Sequence, residues 1–160
     1  MGYSLKALVL IQLIVLWSPH PLQGQQDISA ARAMGPGSTV TITGIVTNGN
    51  ELGLIRYMQD HSAGIAVYSS ELNAVKRGDS VTVTGTLKDY LSLLEVDPVS
   101  SLTVHSSGNR LPDPLVLTPG QFDESYEGML IQVDQATIQA SGTFQREAYS
   151  FNASGESGQL

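Results

Sequence analysis

The sequence predicts an all-β protein, and three observations support this fold class. Apolar and polar residues alternate along several segments, and the apolar positions are mainly Val and Ile. Ser, Thr, Val and Gly are abundant, which favours strands and turns over helices. Five or six such segments follow one another within about 70 residues, and this spacing is typical of a small sandwich or barrel.

The first 24 residues have the organisation of a secretory signal peptide. A short start with one positive charge precedes the apolar run 7–17, which is interrupted only by Gln12, and the polar residues 18–24 contain two prolines. The run is too short to span a bilayer, which requires about 20 residues. The alternative is a buried N-terminal helix. The pattern predicts cleavage near Gly24 and a secreted or periplasmic protein with no stable membrane insertion after processing.

The two clearest strands are residues 38–47 and 80–87, in which Val or Ile alternates with Thr. Each carries one glycine in register with its apolar face, Gly44 and Gly85. A glycine there indicates a bulge or a sharp bend, as a small barrel needs where one strand serves two sheets. The predicted core positions in these strands are Val40, Ile42, Val46, Val81, Val83 and Leu87.

Shorter segments complete the first unit. Residues 69–77 are the one helical candidate between the third and fourth strands. Pro98 is expected to separate the last two strands, because proline cannot donate to a ladder. The remaining predicted strands are 52–60, 64–68, 90–96 and 101–105.

A second unit is predicted after the first. Residues 25–106 form the first domain, residues 107–127 are a proline-containing linker, and residues 128–160 begin a new strand pattern. The order of strands and turns in this tail is similar to that of residues 37–68, which predicts the start of a second, truncated β module. The alternative is a C-terminal hairpin packed on the first domain.

The composition limits the functional classes. The chain has 8 Lys and Arg against 15 Asp and Glu, a net charge of −7, which argues against a protein that holds nucleic acid mainly through phosphate charge. The chain has no cysteine, which excludes thiol catalysis. It has only three histidines, so few residues are available for a histidine-based metal site. We therefore expect no enzyme activity, no catalytic residue, no metal site and no cofactor. The sequence leaves open whether a longer parent protein carries a catalytic domain.

Three motifs resemble the OB-fold modules of secreted bacterial proteins, some of which are fused to extracellular nucleases. They are Tyr-Met-Gln-Asp at 57–60, Gly-Ile-Ala-Val-Tyr at 64–68 and Gly-Asp-Ser-Val-Thr-Val-Thr-Gly at 78–85. The resemblance implies a small five-stranded OB-type Greek-key barrel, followed by a partial second β module. It also implies a non-catalytic binding module whose default ligand is single-stranded nucleic acid.

The resemblance places the ligand surface on the exposed side of the second and third strands and on the flanking loops. Alternation puts Tyr57 and Gln59 on that side of the second strand and Tyr68 on that side of the third. The loop after the fourth strand adds Lys88 and Tyr90. These five are the predicted ligand-binding residues, because aromatic rings stack on bases or sugars and a lysine contacts phosphate. The alternative is that Tyr57 and Tyr68 form a cross-strand pair that only stabilises the sheet.

A second functional class is a structural or spacer module within a larger multidomain secreted protein, binding protein, glycan or a neighbouring domain of the same polypeptide. The arrangement of cations separates the two classes, since a groove that follows a phosphate backbone is locally basic. Convergence of four cations on one side of the barrel would favour nucleic acid, and their dispersal would favour the spacer. These cations are Arg56, Lys76, Arg77 and Lys88.

Export predicts a shortened mature chain. Intact-mass analysis of the extracellular or periplasmic product is expected to show the loss of residues 1 to about 24. Recovery of the full-length chain from the cytosol would contradict this prediction.

Overall fold

The computed structural model describes residues 24–138, 150–153 and 156–159. All but the last residue of the predicted signal peptide lies outside these ranges. Within them, no helix is both long and apolar enough to cross a membrane. The described elements are helix α1 (Ile28–Ala33), the strands β1 (Thr39–Val46), β2 (Ile55–Gln59), β3 (Gly64–Tyr68), β4 (Ser80–Tyr90), β5 (Leu93–Ser106), β6 (Leu115–Val116), β7 (Ile131–Gln132), β8 (Thr137–Ile138), β9 (Ser150–Ala153) and β10 (Glu156–Gln159), and the 3-10 helices Asn50–Leu52, Ser70–Ala74, Pro119–Gln121 and Glu124–Tyr126.

Strands β1 to β5 close into a barrel in the order β1-β2-β3-β5-β4, with β4 paired back to β1. β3 and β5 pair in parallel, and the other neighbours are antiparallel. This is a five-stranded Greek-key barrel of the OB type, and it confirms the predicted fold class. Gly44 lies where β1 changes its partner from β4 to β2, as expected of a glycine at a bend in a small barrel.

Alternation along the strands supplies the core. All six predicted core positions of β1 and β4 are buried, and Met58, Ile65 and Val67 join them from β2 and β3. Threonines occupy the opposite face of β1 and β4, where the hydroxyls of Thr41 and Thr84 hydrogen-bond across the strands at 3.0 Å. Burial of the apolar side chains contributes about 25 cal/mol per Å² and is the main term that stabilises the barrel.

Helix α1 is an element that the sequence pattern does not predict. It spans only six residues, which is too short for a 3.6-residue period to stand out. Its Ile28 and Ala31 are fully buried in the barrel core. The Ile28 amide donates to the Asp60 carboxylate (2.8 Å), which ties the start of the helix to the turn after β2. The helical candidate at 69–77 is instead the five-residue 3-10 helix Ser70–Ala74.

Strand β5 is longer than predicted. The expectation that Pro98 separates two strands is wrong, because the strand continues through it. The pairing with β4 shifts register there: Gly85 faces Val99, whereas Leu87 faces Val96. β5 therefore carries one extra residue, and a bulge of this kind is a place where a strand accommodates proline. A Cβ at position 85 would lie 2.6 Å from the Pro98 carbonyl oxygen, so only glycine fits.

Arg56 is fully buried, although its charge predicts exposure. Its guanidinium donates to the carbonyl oxygens of Val75 (3.1 Å), Gly53 (2.8 Å) and Ile55 (2.8 Å). These bonds link the turn before β2 to the segment before β4. A cation that is buried and engaged in this way is not accessible to a ligand, so Arg56 is not part of a basic groove.

The residues after the barrel form two small sheets. β6 and β7 pair in parallel, and β8, β9 and β10 form an antiparallel sheet in the order β10-β9-β8. The second sheet agrees with the predicted partial β module. Residues 107–127, which were expected to be a linker, contain β6 and two 3-10 helices.

The facing of β4 predicts unequal costs for two neighbouring substitutions. Val83→Ala removes two buried methyl groups and is expected to lower the free energy of unfolding by about 1–3 kcal/mol. Thr82→Ser keeps the hydroxyl that contacts Thr43 and His105, and is expected to change the free energy of unfolding by less than about 0.5 kcal/mol. Chemical denaturation of both variants measures these costs. The reverse ranking would show that the facing is wrong.

Candidate ligand-binding site

One cleft of the barrel gathers three of the five predicted ligand-binding residues. It lies between the end of β3 and the arms of the β4–β5 hairpin, and its volume is about 380 Å³. Tyr68 and Tyr90 are 42% and 53% exposed, so both side chains are accessible to a ligand. We call this site the tyrosine cleft. Its lining residues are Ile55, Tyr68, Lys88, Tyr90, Glu95 and Asp97.

A tight turn positions the Tyr90 side of the cleft. Leu91 and Ser92 connect β4 to β5 with positive φ angles of 54° and 71°, as in a two-residue hairpin turn. The Ser92 amide donates to the Asp89 carboxylate (3.0 Å), which stabilises the turn. Tyr90 is therefore fixed at the end of the hairpin, and Leu91 projects beyond it into solvent.

Lys88 is the cation of the cleft, and carboxylates already neutralise it. Its Nζ donates to the Asp97 carboxylate at 2.6 Å and lies 3.6 Å from the Glu95 carboxylate. The hydrogen bond to Asp97 raises the pKa of Lys88, so the ammonium stays charged. The same Nζ lies 5.1 Å from the centre of the Tyr90 ring, within the range of a cation–π interaction. Lys88 therefore offers little free charge to a phosphate.

Glu95 is the most buried charged residue of the cleft, with 2% of its surface exposed. It pairs with Ala66 in the parallel ladder between β3 and β5, which explains its position. Burial raises the pKa of the Glu95 carboxyl, and the nearby Lys88 ammonium only partly offsets this effect. The cleft thus combines aromatic surface with hydrogen-bond acceptors, since Glu95 and Asp97 outnumber the single cation.

The other two predicted residues, Tyr57 and Gln59, lie in a different part of the sheet. Residues 126–130, which we call the strap, lie against the outer face of β2 and β3 there. The Leu130 amide donates to the Oε1 of Gln59 (2.8 Å). Tyr57 is half-buried and lines a separate cavity of about 300 Å³ between the strap and β2. Burial, and then the nearby carboxylates, raise the pKa of its hydroxyl.

The strap is held by backbone contact and by an ion pair. Gly64 and Gly128 pack backbone against backbone, and a Cβ on Gly128 would lie 2.8 Å from the Ile65 amide nitrogen. Arg32 donates to the Glu127 carboxylate (3.0 Å) and to the Gly64 carbonyl (3.1 Å), which joins α1, β3 and the strap. The strap is not predictable from the sequence pattern, because two isolated glycines, Gly64 and Gly128, give no sign that they meet.

The four cations expected to mark a basic groove do not converge. Arg56 is buried in the barrel. Lys76 and Arg77 are exposed just before β4, whereas Lys88 lies near the far end of that strand. At 3.3 Å per residue, the start of β4 and Lys88 are about 26 Å apart. Across the described ranges, no basic groove runs beside the tyrosine cleft.

Asp27, Asp60 and His61 form a separate cluster, in which one ligand atom from each residue lies within 4.8 Å of the others. Burial opposes ionisation of Asp60, but hydrogen bonds from backbone amides and a serine hydroxyl outweigh it and lower its pKa. These bonds engage both of its carboxylate oxygens. Asp60 is thereby explained as the residue that organises its turn and the start of α1, and we assign no metal site to the cluster.

The chain is similar to one portion of a much longer protein. It is 35% identical to Endonuclease YhcR of Bacillus subtilis over 126 aligned residues, which cover 71% of this chain and 10% of that protein. The chain therefore spans about a tenth of the length of this curated relative. No protein-family model matches the chain. The similarity to this Bacillus protein and the closed five-stranded barrel together fit an OB-fold-like module.

Two solved structures give partial matches. The hypothetical protein ygiW from E. coli has a TM-score of 0.44 and 19% identity, covering 51% of this chain and 90% of that chain. A protein described as an aspartyl-tRNA synthetase from Leishmania major has a TM-score of 0.45 and 14% identity, covering 66% of this chain and 24% of that chain. Both TM-scores are below 0.5, so the fold assignment rests on the strand order of the barrel.

The raised pKa of Glu95 predicts a pH-dependent cost in stability. A carboxyl whose pKa in the folded state exceeds its ordinary value of 4.5 disfavours folding as it ionises, so the cost appears as the pH rises above 4.5. Glu95→Gln cannot ionise. Its free energy of unfolding, relative to that of the native chain, is therefore expected to increase from pH 4.5 to neutral pH.

Urea denaturation at several pH values measures this difference. Glu71→Gln, at an exposed position, controls for the loss of one negative charge. A difference between Glu95→Gln and the native chain that decreases as the pH rises would contradict the prediction.

Proposed function

We propose that this chain is a non-catalytic OB-fold binding module, and that it binds single-stranded nucleic acid through the tyrosine cleft. The observation that carries the proposal is the convergence of two exposed aromatic side chains, Tyr68 and Tyr90, on one cleft. Every base has a flat π face, and its stacking on an aromatic side chain contributes about 1–3 kcal/mol. The similarity to a portion of a protein named as an endonuclease supports nucleic acid as the ligand class.

The polar lining of the cleft suits a base better than a phosphate. Lys88 is engaged by two carboxylates, so its charge is largely satisfied within the protein. Asp97 is the more exposed hydrogen-bond acceptor of the lining, and carboxylates accept from the amino groups of bases such as cytosine. Because phosphate contacts contribute little here, we expect modest affinity that depends only weakly on salt.

We also propose that the module belongs to a longer, exported protein. This chain spans about a tenth of its Bacillus relative, which supports a longer parent protein. The signal-like residues 1–24 support export. In this proposal residues 25–106 are the barrel domain, residues 107–127 connect it to the next unit, and a second β module begins at residue 128. Any catalytic activity of the parent protein would reside in another domain.

A second candidate function is a structural or spacer module that binds a protein, a glycan or a neighbouring part of the same polypeptide. The strap favours this function, because it binds Gln59 and lies beside Tyr57 on the face where an OB fold generally binds its ligand. The dispersed cations favour it as well. A glycan is the natural alternative occupant of the tyrosine cleft, since tyrosine rings also pack against sugars.

The nucleic-acid proposal predicts that both tyrosines of the cleft are needed for binding. The measurement is a titration of fluorescently labelled single-stranded DNA at low salt. Tyr68→Ala and Tyr90→Ala are each expected to weaken binding by about tenfold, which corresponds to the loss of one stacked base. Tyr68→Phe keeps the ring and is expected to bind as tightly as the native chain. This matched control separates stacking from the loss of a hydroxyl.

Two results would contradict the proposal. Absence of binding by the native chain at high micromolar protein, together with binding of an oligosaccharide, would favour the spacer function. Equal binding by the native chain and by a Tyr68→Ala/Tyr90→Ala double variant would place the ligand elsewhere. Val104→Ala, at an exposed position of β5 outside the cleft, controls for a general loss of apolar surface.

A further inference from the structure

We infer that the strap restricts the tyrosine cleft to a short ligand segment of about two nucleotides, whereas OB folds commonly cover about 4–16 nucleotides. The inference rests on the proposed function and concerns the length of the bound segment. Its basis is the position of the strap, which occupies the part of the β2–β3 face along which a longer strand would find further contacts.

The outer face of β2 and β3 is divided between the cleft and the strap. Ile55 and Tyr68 pair at the cleft end, and Gln59 and Gly64 pair at the other end. These two registers are about 13 Å apart at 3.3 Å per residue. Gln59 and Gly64 are buried, and both contact the strap directly. The part of this face around the paired residues Ile55 and Tyr68 is therefore left for a ligand.

The strap is anchored across the width of the face. Its Glu127 carboxylate accepts hydrogen bonds from Arg32 of α1 (3.0 Å) and from the Leu94 amide of β5 (3.4 Å). Its Leu130 amide donates to the Oε1 of Gln59 on β2, and Gly128 packs against the backbone of β3. The anchors reach three strands and the helix, so a weakly bound ligand does not displace the strap.

The strap limits the stacking surface that a longer strand could use. Tyr57 is the aromatic residue of β2, and it lies half-buried in the cavity between the strap and β2, which Gly128, Met129 and Leu130 also line. Lifting the strap would expose Tyr57 and Gln59 beside the cleft and extend the site by at least one stacked base. The strap thus sets the length of the site.

The test compares a dinucleotide, a tetranucleotide and a hexanucleotide of deoxycytidine. Each affinity is divided by the number of positions along the ligand at which the two-nucleotide site can bind. For the native chain, the corrected affinities are expected to agree within about threefold, because only one short segment is held. For Gly128→Ala, whose new Cβ would clash with the Ile65 amide nitrogen, the hexanucleotide is expected to gain about tenfold over the dinucleotide. Glu127→Gln, which weakens the ion pair with Arg32, is expected to show a smaller gain in the same direction.

Matched controls are available for both variants. Gly108→Ala introduces the same strain at a positive φ of 70° with no neighbouring atom within 4 Å, and Glu71→Gln removes an exposed charge. Neither control is expected to change the length dependence, and thermal unfolding verifies that all four variants are folded. A tenfold gain with length in the native chain, or no gain in both strap variants, would overturn the inference. Absence of binding at every length would instead overturn the proposed function.

Discussion

The barrel depends on the absence of a side chain at Gly85. At this residue β5 bulges against β4, and Val96 and Pro98 approach the glycine so closely that a Cβ would collide with them. Beyond the bulge β5 also pairs with β3, which closes the barrel. This segment of β5 also contains Glu95 and Asp97, which line the tyrosine cleft. The bulge at Gly85 therefore lies next to both the closure of the barrel and the site, and a larger residue at position 85 would disturb both.

The chemistry of the cleft agrees with the acidic composition of the chain. A protein with a net charge of −7 is poorly suited to hold a phosphate backbone, and the one lysine of the cleft is engaged by carboxylates. Aromatic stacking does not require positive charge, because it uses the flat surface of the base. The strap acts on the same face by lying beside Tyr57, which is half-buried, while leaving Tyr68 and Tyr90 exposed. Charge and strap together favour a small site of modest affinity.

The sequence predicts those features that depend on local periodicity. The facing of β1 and β4 and the exposure of Tyr68 follow from strict alternation. Lys88 and Tyr90 join Tyr68 as predicted, but they lie on β4, which runs three residues beyond its predicted end at Leu87, and not in a loop. Other features depend on contacts between distant segments, which periodicity does not report. Arg56 faces inward, where its guanidinium donates to carbonyl groups of two separate segments. Tyr57 shares its cavity with strap residues some 70 positions later in the chain. The short helix α1 was missed because six residues carry too little of a helical period.

The central claim is that a base stacks in the tyrosine cleft while the strap stays in place. Titration of a short single-stranded DNA into isotopically labelled protein, followed through the amide chemical shifts, tests this claim most directly. We predict that the shifts concentrate on Tyr68, Lys88 and Tyr90, and that the Leu130 amide of the strap does not move. Shifts centred on the threonine face of β1 and β4, or the absence of any shift at saturating DNA, would contradict the claim.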